Sequence, residues 1–161
     1  MENSLPAKIG LPRPLVVFGT FTLSIFGLGI SIYLTVAHYI STTLLACPET
    51  GTINCAKVTS SAQSSLLGIP VAVLGLVFFV AMVVLNSPPA WYVAPRRLHQ
   101  IRFLAALTGI GFVLWLITAE LLIIGAICLW CTAVHIVTFA LVILIVNETP
   151  RILGWGTQPE A

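Results

Sequence analysis

Four stretches of this chain run almost without a polar break for about 20 residues, the length at which a helix crosses roughly 30 Å of hydrocarbon while closing its own backbone hydrogen bonds. They cover Leu15 to His38, Leu67 to Leu85, Arg102 to Ile124 and Ile127 to Val146, and none carries Lys or Arg beyond its first residue. Pro70 falls in the first turn of the second stretch, where a missing N–H costs nothing, and Asn86, Ser87, Pro88 and Pro89 end that stretch. Only Gly125 and Ala126 separate the third from the fourth. As one helix these two would measure roughly 65 Å, twice the bilayer core, so the pattern predicts a tight antiparallel hairpin. The expected architecture is an all-α membrane protein, a four-transmembrane-helix bundle with a long extracytoplasmic loop between helices 1 and 2. Residues 15–147 form the bundle, and 1–14 and 148–161 are its tails.

Composition agrees with this and excludes a soluble domain. The 161 residues are 58% hydrophobic and 7% charged, with no aspartate, and the mean hydropathy is +1.07. Charge adds orientation. Lys8, Arg13, Arg96, Arg97, Arg102 and Arg151 flank the termini and the central loop, whereas Lys57 alone lies in the first loop. Basic residues stay inside, so both termini and the loop with Arg96 and Arg97 are expected in the cytoplasm, the protein being multi-pass with its long first loop outside. The net charge of +2 reflects this orientation and no affinity for nucleic acid. A cleavable signal peptide is the competing reading of the first stretch, which is too long for one and lacks a small-residue cleavage pattern.

This topology gathers all four cysteines on the outer, oxidising side, where disulfides persist. Cys47 and Cys55 lie in the first loop; Cys128 and Cys131 open the fourth span. A Cys-x-x-Cys at a helix start places both sulfurs on one face, and the helix N-terminus favours the thiolate. Cys128 then looks to the water edge and Cys131 into the bundle, with His135 one turn further along the same face. The loop pair is bracketed by the turn formers Pro48, Gly51 and Asn54, which suits a mobile segment, and Asn54 is placed to cap a short helix running from Cys55 towards Leu66. Thiol exchange needs a thiolate and an accessible sulfur, so the loop pair fits a soluble partner and the helix pair something in the membrane.

The chain resembles the vitamin K epoxide reductase family of membrane thiol oxidoreductases. The resemblance covers Leu15 to about Val146 and rests on an ordered set: Cys47-x7-Cys55, Ser61 in Cys-Ala-Lys-Val-Thr-Ser-Ser, Gly68-Ile69-Pro70, and Cys128-Leu129-Trp130-Cys131. It implies a relay in which Cys47 exchanges with a thioredoxin-fold (DsbA-like) protein outside the membrane and Cys55 forms a mixed disulfide with Cys128. Cys131 then reduces a membrane quinone, menaquinone or ubiquinone, with Ser61 positioning the ring. Many bacterial relatives carry a fused thioredoxin-like domain after the last span; about 15 residues follow it here, so a separate partner protein is expected. Vertebrate members have a tyrosine where this chain has His135, a departure that bears on the alternative activity, reduction of vitamin K epoxide in the strict sense. They also use an asparagine near the start of the second span, where Ser64 and Ser65 lie nearest.

Plainer roles stand beside these. The loop cysteines fit a structural disulfide in a non-enzymatic tetraspan protein, and four thiols fit zinc, although x7 spacing suits a tetrahedral site poorly. His135 fits a hydrogen bond to a neighbouring helix as well as a quinone contact. Glu120, near the outer end of the third span, fits either a cross-bundle hydrogen bond or proton supply to a reduced quinone. Trp115 and Trp130 read as packing or interface aromatics.

Overall fold

A computed structural model describes residues 11–41, 44–93 and 95–154; 1–10, with Lys8, and 155–161 of the two tails lie outside the described residues. The chain forms α1 (Pro14–Ile40), α2 (Cys55–Thr59), a two-stranded hairpin of β1 (Ser65–Leu66) and β2 (Ile69–Pro70), α3 (Val71–Leu85), α4 (Pro88–Tyr92), α5 (Arg96–Thr118) and α6 (Leu129–Leu153). A π-helical turn, Ala119–Ile124, continues α5. Three helical stretches, Pro14–Ile40, Arg96–Ile124 and Leu129–Leu153, are long and apolar enough to cross a membrane, and α3 is a shorter apolar helix of 15 residues. Leu15, Leu122 and Val93 are among many large apolar residues left exposed on the outside, a surface suited to lipid.

The boundaries differ from the hydropathy reading in three places. α3 starts at Val71, because Leu67 and Gly68 form the two-residue turn of the β1–β2 hairpin with φ of 52° and 81°. Pro70 is therefore the residue before α3 and not part of its first turn. α5 starts six residues earlier than Arg102, since Pro95 initiates a helix whose first turn is basic. α6 runs past Val146 to Leu153, where Gly154 adopts φ 68° and stops it.

Packing is organised around α1, which lies against α3 on one side and α6 on the other, with α5 against α6. Two phenylalanines of α3 key the bundle. Phe79 occupies the space that a Cβ on Gly27 of α1 would fill, and Phe78 lies 2.7 Å from where a Cβ on Gly109 of α5 would sit. Small residues at such crossings let helices approach where lipid offers no hydrophobic drive.

One end of the bundle is closed by buried polar groups. The Arg102 guanidinium, 1% exposed, donates to the carbonyls of Leu85 and Ala90, which end α3 and lie in α4, and to His99 Nδ1 at 2.7 Å. It also lies 3.6 Å from the centre of the Trp91 ring. Asn86 Nδ2 donates to Ser24 Oγ, tying the end of α3 to α1, and the Arg13 amide donates to the buried Glu148 carboxylate, tying the start of α1 to α6. Arg96, Arg97 and Arg151 share this basic end; the cysteines lie at the other.

Gly27→Ala should lower thermal stability in detergent by about 1–3 kcal/mol, because the new methyl group meets the Phe79 ring. Gly29→Ala, which meets nothing within 4 Å, is the matched control and should not destabilise. Equal melting of the two variants would remove Phe79 as the key.

Candidate functional site

Gly125, with φ 63°, ends the π turn, and Ile127 and Cys128 lead straight into α6. The hairpin expected at Gly125 and Ala126 is thus present. Cys128 is the N-cap of α6, and its sulfur accepts the Cys131 amide at 3.3 Å. The exposure of Cys128 is the reverse of the sequence reading, which placed it at the water edge. Cys128 is 0% exposed, whereas Cys131 is only partly buried and opens onto a cavity.

Cys128 is covered because the first loop docks on it. Cys47 and Cys55 form a disulfide, and Ile53 pairs with Ile127 in a parallel bridge. The Asn54 amide donates to the Ile127 carbonyl at 3.1 Å, and the Ile127 amide to the Thr52 carbonyl at 2.9 Å. Each cysteine therefore follows a residue of the bridge, Cys55 by two positions and Cys128 by one, and both sit in the same buried cluster. Asn54 caps α2 as expected, its side chain accepting the Lys57 amide at 2.7 Å, although α2 stops at Thr59. The segment read as mobile is pinned by these backbone bonds. Cys47 keeps partial exposure while Cys55 is 1% exposed.

On the other side of Cys131 lies a cavity of ≈ 400 Å³ enclosed by α1, α3, α5, α6 and the segment after α2. Its walls are apolar, with Leu34, Phe78, Phe112 and Val134 among them. Cys131, Ser61, Glu120 and His135 all line it, which brings these four candidates of the sequence to one place, whereas Cys128 does not reach it. Ser61 Oγ donates to the Val58 carbonyl at 2.7 Å and keeps its lone pairs for a second partner. Glu120, 6% exposed, sits in the π turn and lines the cavity beside Cys131. An inserted residue of this kind re-aims a helix face, and such turns recur at functional sites.

Ser64 also lines the cavity, as do His38 and Gln63, which the sequence did not single out. His38 ends a long apolar run and carries no spacing signal; Gln63 follows Ser61 in a polar stretch that reads only as loop. Trp115 stacks on Phe112 and is 40% exposed, as an interface aromatic would be. Among the described residues no group of three or more His, Cys, Asp or Glu is arranged to hold a metal ion.

Helices built for lipid, a docked loop disulfide and a second cysteine pair with one thiol, Cys131, facing an apolar cavity define a membrane protein with cysteine redox chemistry. A family model described as the vitamin K epoxide reductase family matches residues 19–146. The chain belongs to that family, whose members are membrane oxidoreductases that generally use a quinone. Comparison with curated proteins returned no match.

A lipid-soluble maleimide should modify Cys131 well before Cys128 in the native protein, because only Cys131 opens onto the cavity. Mass spectrometry of partly labelled protein checks this. Equal labelling would mean that the loop does not shield Cys128.

Proposed function

We propose that this chain is a quinone-dependent thiol oxidase of a bacterial cytoplasmic membrane, which reoxidises a thioredoxin-fold protein outside the membrane and so supports disulfide formation. One observation carries the reading: the loop disulfide is docked on Cys128, and the neighbouring Cys131 lines an apolar cavity. Electrons thereby have a continuous route from water to the lipid-facing interior. The orientation rests on the basic residues, with Arg13, Arg96, Arg97, Arg102 and Arg151 on the cytoplasmic side and Lys57 with the cysteines outside.

The cavity suits a quinone head group. Its size lies within the range of small-molecule sites, its walls are apolar, and the few polar groups, Ser61, His135 and Glu120, converge near the reactive thiol. A bound quinone accepts two electrons and two protons and leaves as the quinol.

The chain's own residues would act in sequence. A partner thiolate attacks Cys47, the partly exposed cysteine, and Cys55 leaves as a thiolate. Starting from a Cys128–Cys131 disulfide, Cys55 attacks Cys128 and frees Cys131. The partner's second thiol displaces Cys47, which then attacks Cys55 and releases Cys128. The loop disulfide with two free thiols at Cys128 and Cys131 is the distribution that follows this transfer. Glu120 takes the Cys131 proton, and Cys128 closes the disulfide as electrons leave for the quinone. Ser61 and His135 orient the ring carbonyls, and Cys131, not Cys128, faces the ring.

Purified protein mixed with a reduced thioredoxin-fold partner should consume menaquinone or ubiquinone. Cys131→Ala should abolish this and accumulate a Cys55–Cys128 mixed disulfide, and Glu120→Gln should slow turnover by about 100-fold. Quinone consumption that persists in Cys131→Ala would sink the relay. Reduction of vitamin K epoxide in preference to quinone would assign the strict family activity instead, and unaltered disulfide formation in cells lacking all four thiols would leave a packing protein.

A further inference from the structure

The backbone of Leu44 and Ala46, just before Cys47, is held by two side chains from different helices. Tyr33 Oη of α1 donates to the Leu44 carbonyl at 2.7 Å and accepts the Ala46 amide at 2.9 Å. Trp130 Nε1, between the two cysteines of the α6 motif, donates to the Ala46 carbonyl at 3.1 Å. The two rings meet edge to face, their centres 4.7 Å apart. Between the bonded residues Leu45 is 7% exposed and joins the buried cluster that holds Cys55 and Cys128. Three hydrogen bonds and a buried leucine thus fix the residue adjoining Cys47, whereas Cys55 is fixed independently by α2 and the Ile53–Ile127 bridge.

We propose that Tyr33 and Trp130 are positioning residues that latch Cys47 onto Cys55 and set how readily the loop disulfide exchanges with an external thiol. This rests on reading the loop pair as the exchange site. An attacking thiolate must line up with the Cys47–Cys55 bond, and the latch restrains Cys47 against that alignment. In the step itself the thiolate bonds to Cys47, the Cys47–Cys55 bond breaks, and Cys55 leaves as a thiolate. The second thiol of the attacking dithiol then displaces Cys47, so one dithiol is oxidised and the loop pair is reduced. Because Trp130 lies inside the second motif, the latch ties access at the water side to the helix start that carries Cys128 and Cys131.

The test is reduction of the Cys47–Cys55 disulfide by dithiothreitol in the Cys128→Ser, Cys131→Ser background, which removes internal exchange and needs no quinone. Tyr33→Phe, which loses two hydrogen bonds, should be reduced about tenfold faster, and Trp130→Phe, which keeps the ring and loses one, about threefold faster. The equilibrium with dithiothreitol should shift the same way, with melting temperatures close to the parent. Trp115→Phe, on α5, should match the parent. Parental rates and equilibria in both latch variants would overturn the proposal, and if Tyr33→Phe fails to fold, Trp130→Phe alone decides. Faster reduction in these variants together with continued quinone consumption in Cys131→Ala would keep the latch and discard the oxidase reading.

Discussion

The short backbone pairing between Thr52–Asn54 and Ile127 is the contact on which the arrangement of the site depends. Two amide-to-carbonyl bonds, which together make the Ile53–Ile127 bridge, dock the first loop on the start of α6, where both Cys55 and Cys128 are buried. Without them the loop would be a tethered disulfide near a membrane, and Cys128 would face water. With them the thiols divide by environment: Cys47 towards solvent, Cys55 and Cys128 sealed together, Cys131 towards the cavity. Sealing the middle pair favours exchange within the chain over exchange with stray thiols, since a buried sulfur is reached only by its neighbour.

Three helix termini were legible in the sequence from a local rule, whereas the Pro95 start of α5 and the Gly154 stop of α6 were masked by the hydropathy profile. Asn54 caps α2, Gly125 takes the left-handed turn, and Cys128 stands at the start of α6, each a consequence of residue type acting within one turn. The gathering of Ser61, Glu120, His135 and Cys131 on one cavity followed from placing each at the outer end of its segment. The docking of the loop was not legible, because it joins residues more than 70 positions apart and the joining bonds are backbone bonds that any residue can make. The β1–β2 turn escaped for another reason: it puts Leu67, a residue that ordinarily avoids positive φ, at 52°.

The inversion of exposure at the α6 motif has a related cause. A water edge was inferred from position along the span, but position says nothing about what lies on top of it. In lipid the helices are apolar on nearly every face, so periodicity cannot mark which side turns inward. Phe78 and Phe79 decide that here by fitting against Gly109 and Gly27, and glycines and phenylalanines look alike to a hydropathy profile.

Arg102 gives the basic end a consequence for assembly. Its guanidinium supplies the partners for the Leu85 and Ala90 carbonyls, yet it is synthesised after both. The corner formed by α3 and α4 consequently has to keep those carbonyls hydrated until α5 follows, and it closes only when the later helix delivers the cation. Insertion and packing are coupled through one side chain: a chain halted before residue 102 carries the complete α3 sequence but lacks the group that seals its end.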